Sequence, residues 1–173
     1  MTSNHYIMDT SSLVELNRHI PIDVFPSVWN NLESLSKKGL LVAPAEVLSE
    51  VKERDNDLTS WARKNNSIFR PSSKKQIELL KDILKNYPAL VKEGRKYDAD
   101  LWGIDLAVEM KASCQQTIIE IKRIVVTGEK LRGEKVRIPL VCQKYEIESV
   151  EIIEMFRIEG WKFKVIVWRC TKR

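Results

Sequence analysis

Tyr6-Ile7-Met8-Asp9-Thr10-Ser11 is the stretch from which the architecture is best worked out. The run from His5 to Met8 is short and apolar, which predicts a buried strand, and Asp9 with the hydroxyl residues that follow it predicts a polar turn. The protein therefore opens with a strand that ends in a carboxylate.

Short strands and longer helices alternate along the rest of the chain. Strands are predicted at Leu40–Val42, within Ile118–Val126, at the start of 150–159 and at Lys162–Trp168, with 67–71 as a strand or a loop. Apolar residues at helical spacing predict helices that begin near Ser12, Pro26, Pro44, Leu58, Ser73, Asp98 and Cys142, and a last helix within 150–159. This order predicts one α/β domain over residues 1–173, with a mostly parallel central sheet between two layers of helices.

Composition limits the class of protein. The chain has 173 residues, of which 43% are hydrophobic, enough to bury a sizeable core. The formal net charge of +5 favours an anionic partner. The three cysteines are far apart and form no CxxC pair, so neither a disulfide framework nor a zinc site is indicated. The cysteine pattern also suits a reducing cytoplasm, and because no apolar stretch is long enough to span a bilayer, we expect no membrane partner.

Acidic residues follow two of the predicted strands. Asp9 closes the first strand, and Glu129 comes shortly after the apolar run that ends at Val126. In a parallel sheet the carboxyl ends of the strands share one edge, where ligands collect. Carboxylate oxygens suit hard cations such as Mg²⁺ and Mn²⁺. The pattern raises the question of which cation the two residues share.

Four segments resemble those of PIN domains, in the order that this family has them. Tyr6–Ser11 resembles the opening segment, in which an Asp, here Asp9, closes the strand. Pro44–Val51 resembles the strand-to-helix segment that ends in the family's acidic Glu, matched here by Glu50. The resemblance extends over roughly residues 5–155.

The other two segments lie in the second half of the chain. Asp100–Ala107 resembles the helix that begins with the family's third acid, Asp100, and Val125–Glu129 resembles the segment in which a Thr precedes an acid by two positions. Ile138–Cys142 is similar to a poorly characterised branch of PIN-like proteins. The chain thus resembles a PIN-like domain of three α/β/α layers.

The resemblance implies both a site and an activity. Asp9, Glu50, Asp100 and Glu129 are then the catalytic, metal-binding residues, with one or two Mg²⁺ or Mn²⁺ ions. The implied reaction is endonucleolytic cleavage of single-stranded RNA, in which metal-bound water attacks the phosphodiester. The resemblance also implies the toxin of a toxin-antitoxin pair, hence an antitoxin protein partner. A homodimer is a further expectation, which the sequence itself does not establish.

Two positions depart from the family pattern. Most PIN domains have Asp where Glu129 stands, and the longer Glu side chain still supplies a carboxylate. Small apolar residues are usual where Asp105 stands. Asp105 is interpreted either as an additional acidic group near the site or as a solvated residue.

Simpler interpretations of the four acids remain open. Asp9 is in a position typical of a helix cap or turn, Asp100 in that of a first-turn acid, and Glu129 in a charged, solvated loop. Glu46 lies one turn before Glu50 on nearly the same helix face and is its rival.

A second function stays open beside the nuclease. In this second interpretation, the protein is a catalytically weak PIN-like module that binds RNA or a protein. Basic residues that flank the site segments could contact phosphates in either case; they are Lys92, Arg95, Lys96, Lys130, Arg132, Lys135 and Arg137.

Overall fold

The computed structural model describes residues 2–53, 57–88, 99–112, 120–130 and 137–163. Within them, five strands form one sheet in the order β3-β2-β1-β4-β5, and every pair of neighbours is parallel. The strands are β1 (Thr2–Met8), β2 (Leu41–Pro44), β3 (Phe69–Arg70), β4 (Glu120–Val126) and β5 (Glu148–Val150). The predicted α/β class with a parallel sheet is confirmed.

Helices cover both faces of this sheet, as a parallel sheet requires. They are α1 (Thr10–His19), α2 (Pro26–Lys37), α3 (Ala45–Lys52), α4 (Asp57–Lys64), α5 (Lys74–Asn86), α6 (Ala99–Ala112), α7 (Ile138–Lys144) and α8 (Ile152–Ile158). One hydrophobic cluster joins the sheet to α1, α2, α3, α4 and α8, and a second joins it to α5, α6 and α7. The three layers expected from the sequence are present.

Strand β1 lies at the centre of the sheet and is buried on both faces. Successive strand side chains point to opposite faces, so Tyr6 and Met8 belong to the first cluster and Ile7 to the second. Its neighbour β4 divides in the same way, with Ile124 and Val126 on one side and Val125 on the other. This two-sided burial explains why the last three residues of each strand, Tyr6–Met8 and Ile124–Val126, are apolar without polar alternation.

The register of the strands brings their carboxyl ends to one edge. Met8 pairs with Val126, and Ala43 of β2 pairs with Phe69 of β3. The residues that follow β1, β2, β3 and β4 therefore lie along the same edge.

Local signals explain where several helices begin and end. Ser73 caps α5 with a capping box, in which its hydroxyl accepts from the Gln76 backbone N–H at 3.1 Å and the Gln76 side chain accepts from the Ser73 N–H at 2.7 Å. Gly39, with φ of 71°, follows α2 in a left-handed conformation that glycine adopts without strain.

The structure refines some predicted boundaries. Pro44 does not begin α3; it has φ of −62° and ψ of 150°, so it continues strand β2, and the helix begins at Ala45. Residues 67–71 contain the two-residue strand β3. The predicted terminal strand lies outside the described residues from Lys164 onward, as do Lys92, Arg95, Lys96, Arg132 and Lys135.

Candidate functional site

Asp9 lies directly after β1, and its side chain is buried. Oδ1 accepts from the backbone N–H of Ser12 at 2.7 Å, which caps helix α1. Oδ2 accepts from the hydroxyls of Ser11 at 2.8 Å and Thr127 at 2.7 Å. The helix-cap interpretation of Asp9 is confirmed, and three donors fix the orientation of the carboxylate at the carboxyl edge of the sheet.

Thr127, Gly128 and Glu129 bring the end of β4 to the same place. The Gly128 N–H donates to Ser11 Oγ at 2.8 Å, and the Glu129 N–H donates to Thr127 Oγ1 at 3.0 Å. Hydroxyl and amide bonds thus join the ends of β1 and β4, across 118 positions of sequence. The Asp9 carboxylate and the backbone N–H of Glu129 are thus both bonded to the Thr127 hydroxyl.

The Glu129 carboxylate has a structural contact of its own. Its Oε2 accepts from the backbone N–H of Ile138, the first residue of α7, at 3.1 Å. The first N–H groups of a helix lack partners within the helix, so this bond satisfies one of them. Glu129 is half-buried, and the prediction of a merely solvated loop residue does not hold for it.

Glu50 and Asp100 are placed by their helices. Glu50 is half-buried on α3, which packs against α1 and α6. Asp100 lies within the described part of α6, and its side chain is not among those described. No three His, Cys, Asp or Glu side chains within the described part of the chain are grouped so that they could hold a metal ion. The convergence of all four predicted acids stays a prediction.

Cys142 is a buried thiol whose pKa is affected by the charge of Asp9. This thiol is buried on α7, and burial raises its pKa to about 12, with a smaller contribution from the negative charge of Asp9. Cys142 is therefore a neutral packing residue at neutral pH.

A second acidic group lies beside the first, near the carboxyl ends of β2 and β3. Glu46 is in the first turn of α3 and accepts from Ser72 Oγ at 2.8 Å through Oε1. Glu109 of α6 accepts from Ser73 Oγ at 2.6 Å through its own Oε1. Asp105, one turn before Glu109, is fully buried. The solvated interpretation of Asp105 is wrong.

Asp105 has an unusual electrostatic environment. Burial, together with smaller contributions from the negative charges of Glu109 and Glu46, raises its pKa to about 7. None of the described residues donates a hydrogen bond to Oδ1 or Oδ2, and Oε2 of Glu46 is likewise buried without a donor. The charges of Glu46 and Glu109 thus act on Asp105, and three carboxylate oxygens of Asp105 and Glu46 are buried without a hydrogen bond from the described residues.

Sequence reasoning missed this second group. The sequence indicates Glu46 as a rival of Glu50 and Asp105 as an extra acid, but their proximity depends on contacts among α3, α6 and the segment after β3. The available signal was an acid at an apolar position of α6, four residues before a second acid on the same helix face.

The comparisons with known proteins identify a family. A family model described as "Domain of unknown function (DUF4411)" matches residues 6–163, which include the fold and the acidic edge described above. The chain belongs to the DUF4411 family. Comparisons with curated proteins and with solved structures found no match.

Proposed function

We propose that this protein is a metal-dependent endoribonuclease of the PIN type, which cleaves single-stranded RNA. Asp9, Glu50, Asp100 and Glu129 would hold Mg²⁺ or Mn²⁺. The observation that carries the proposal is Asp9, a buried carboxylate at the carboxyl end of the central strand, oriented by Ser11 and Thr127 from two strand ends.

The surroundings of Asp9 suit an oxygen-ligated cation. Each carboxylate oxygen can accept more than one bond, and fixed hydroxyl donors orient ligands in the way that outer-shell groups do at metal sites. In the first-turn position that the sequence predicts for it, Asp100 would lie at the positive end of a helix dipole, which favours a negative side chain. When bound, the cation would acidify a water and offset charge on the phosphate.

Partners follow from the same proposal. None of the described helices is long and apolar enough to cross a membrane. RNA suits the net charge of +5, and Lys130 and Arg137 stand at either end of the 131–136 segment beside Glu129. A role as the toxin of a toxin-antitoxin pair, with an antitoxin protein and a homodimer, is part of the proposal, as is a cytoplasmic location.

A second candidate is a catalytically weak module that binds RNA or a protein. Two of the proposed metal ligands also make hydrogen bonds that stabilise the fold, and this favours the second candidate. Asp9 caps α1, and Glu129 accepts from the first N–H of α7. A surface cavity of about 410 Å³ between α2 and α4 also suits a protein partner. Trp29 and Trp61 line it with several carboxylates, a surface better matched to a cationic side chain than to RNA.

The deciding experiment uses Asp9→Asn, which keeps the shape of the side chain and removes its charge. Cleavage of a labelled single-stranded RNA with Mn²⁺ is expected to fall by a factor of about 10² or more, because the cation loses a ligand. Thermal melts with Mn²⁺ and with chelator accompany the assay. Wild type should gain stability from the ion by mass action, and the variant should gain less.

The matched control is Asp82→Asn, the same change at an exposed position of α5. It should cleave and melt like wild type. Full cleavage by a folded Asp9→Asn protein would end the nuclease proposal. A wild-type protein that binds RNA and cleaves none with Mg²⁺ or Mn²⁺ would favour the second candidate.

A further inference from the structure

We propose that Glu46, Asp105 and Glu109 form a binding site for a hard divalent cation, separate from the site proposed around Asp9. The two sites share the carboxyl edge of the sheet but no ligand. This inference does not depend on the proposed nuclease activity.

The first support is the burial of Asp105. Its side chain is 0% exposed, and neither of its oxygens accepts a hydrogen bond from the described residues. A buried carboxylate without a partner is strongly unfavourable, because it has lost its hydration and gained nothing in return. Two more carboxylates, those of Glu46 and Glu109, act on its charge and increase the cost.

The second support is the way in which serines hold the two glutamates. Ser72 bonds Oε1 of Glu46, and Ser73 bonds Oε1 of Glu109. Each serine thus fixes one oxygen of a carboxylate, while Oε2 of Glu46 stays buried without a donor. Hydroxyls that orient the outer oxygen of a ligand are the usual second layer of a metal site.

The carboxylate oxygens that accept no hydrogen bond from the described residues indicate which kind of ion the site would bind. When they are ionised, both oxygens of Asp105 and Oε2 of Glu46 can only accept hydrogen bonds and cannot donate them. The missing partner must therefore be a cation or a hydrogen-bond donor. An all-carboxylate set favours Ca²⁺, Mn²⁺ or Mg²⁺ over softer metals. Because no three acids of the described residues already stand in metal-holding geometry, the side chains must close around the ion as it binds.

The experiment counts ions in the Asp9→Asn background, in which the proposed catalytic site is weakened. Mn²⁺ binding is measured by titration calorimetry and by the electron paramagnetic resonance of free Mn²⁺, with Ca²⁺ as competitor. The Asp9→Asn protein should bind one ion at this second site. Adding Asp105→Asn should abolish that binding, whereas adding Asp82→Asn should leave it unchanged.

Two further variants guard against misfolding. Ser72→Ala keeps all three carboxylates and should weaken Mn²⁺ binding roughly tenfold, as the loss of an outer-shell bond does. Glu46→Gln removes the charge of a second proposed ligand, and because this side chain is only half-buried, the change disturbs the core less than one at Asp105. Melts in chelator should show each variant to be folded.

The outcomes separate the two proposals. Unchanged Mn²⁺ binding in folded Asp105→Asn protein would overturn the second site, whatever the result of the RNA assay. It would also be overturned if Asp105→Asn stabilised the protein in chelator while no variant bound Mn²⁺ or Ca²⁺ at millimolar levels, because a proton alone would then neutralise the group. Loss of RNA cleavage in Asp9→Asn bears only on the nuclease.

Discussion

Asp105 introduces a negative charge where the resemblance to PIN domains predicts a small apolar side chain, and that charge makes stability depend on pH. Burial raises its pKa from 3.8 to about 7 in the folded protein. Between these values the folded protein retains a proton that the unfolded chain has lost. The free energy of unfolding must therefore fall as pH rises from about 4 to about 7, and the full penalty is present above that range.

Asp105→Asn removes this penalty. In chelator at pH 8, we expect the variant to be more stable than wild type by roughly 1–3 kcal/mol, and the two proteins should converge near pH 4. Urea unfolding across that range gives the measurement, with exposed Asp82→Asn as the control. If the free energy of unfolding of wild type changed with pH in parallel with that of Asp105→Asn, ionisation of Asp105 would carry no cost in stability.

Gly128 is a residue where a single methyl group should disturb the Asp9 site. A Cβ there would lie 2.5 Å from Glu15 Oε2, a flexible end that can move, and 3.2 Å from Ser11 Oγ. Ser11 Oγ holds Asp9 and also accepts from the Gly128 N–H, so it cannot shift without weakening both bonds. Gly128→Ala should cost about 1 kcal/mol of stability.

The matched control for that change is Gly103→Ala, since a Cβ at this position of α6 meets nothing within 4 Å. Helix propensity alone should then stabilise the protein by about 0.5–1 kcal/mol. Chemical denaturation of both variants gives the comparison. If Gly128→Ala proved as stable as Gly103→Ala, the close contact with Ser11 would have no energetic importance.

At the scale of elements, α5 depends on its first residue. Ser73 caps the helix and also donates to Glu109, so Ser73→Ala loses the cap and frees an oxygen of the acidic group. We expect a loss of about 1–2 kcal/mol, measured by thermal melts, with Ser73→Thr recovering most of it. Ser72→Ala leaves the cap of α5 intact and should therefore cost less stability than Ser73→Ala. Equal losses of stability in the two variants would contradict the role of the capping box.

Elements with strong local signals were predictable from the sequence. The start of α5 follows from Ser73 and Gln76, and β1 and β4 follow from their apolar runs. Strand β3 has two residues, too few for any periodicity to appear, and it forms because β2 offers a free edge. Pro44 shows the same limit: its fixed φ suits a helix start and an extended strand equally well.

At the scale of the whole molecule, the sequence predicted the common edge at which strands end better than the side-chain contacts that are made there. Asp9 and Thr127 meet because parallel strands share an edge, a rule that needs no knowledge of side-chain packing. The burial of Asp105 depends on Glu46, Glu109 and the serines after β3, which come from three separate segments. No local pattern contains that information.

The central place of β1 also has a consequence for the growing chain. β1 is made first, yet its longer pairing is with β4, whose first residue is Glu120. At about 5–20 residues per second, ribosomes need roughly 6–24 s to make the intervening chain. Throughout that interval β1 can pair with β2 on one side while its other edge stays open. A nascent chain that stalls before β4 emerges would expose the kind of unpaired strand that chaperones shield and that other chains can join.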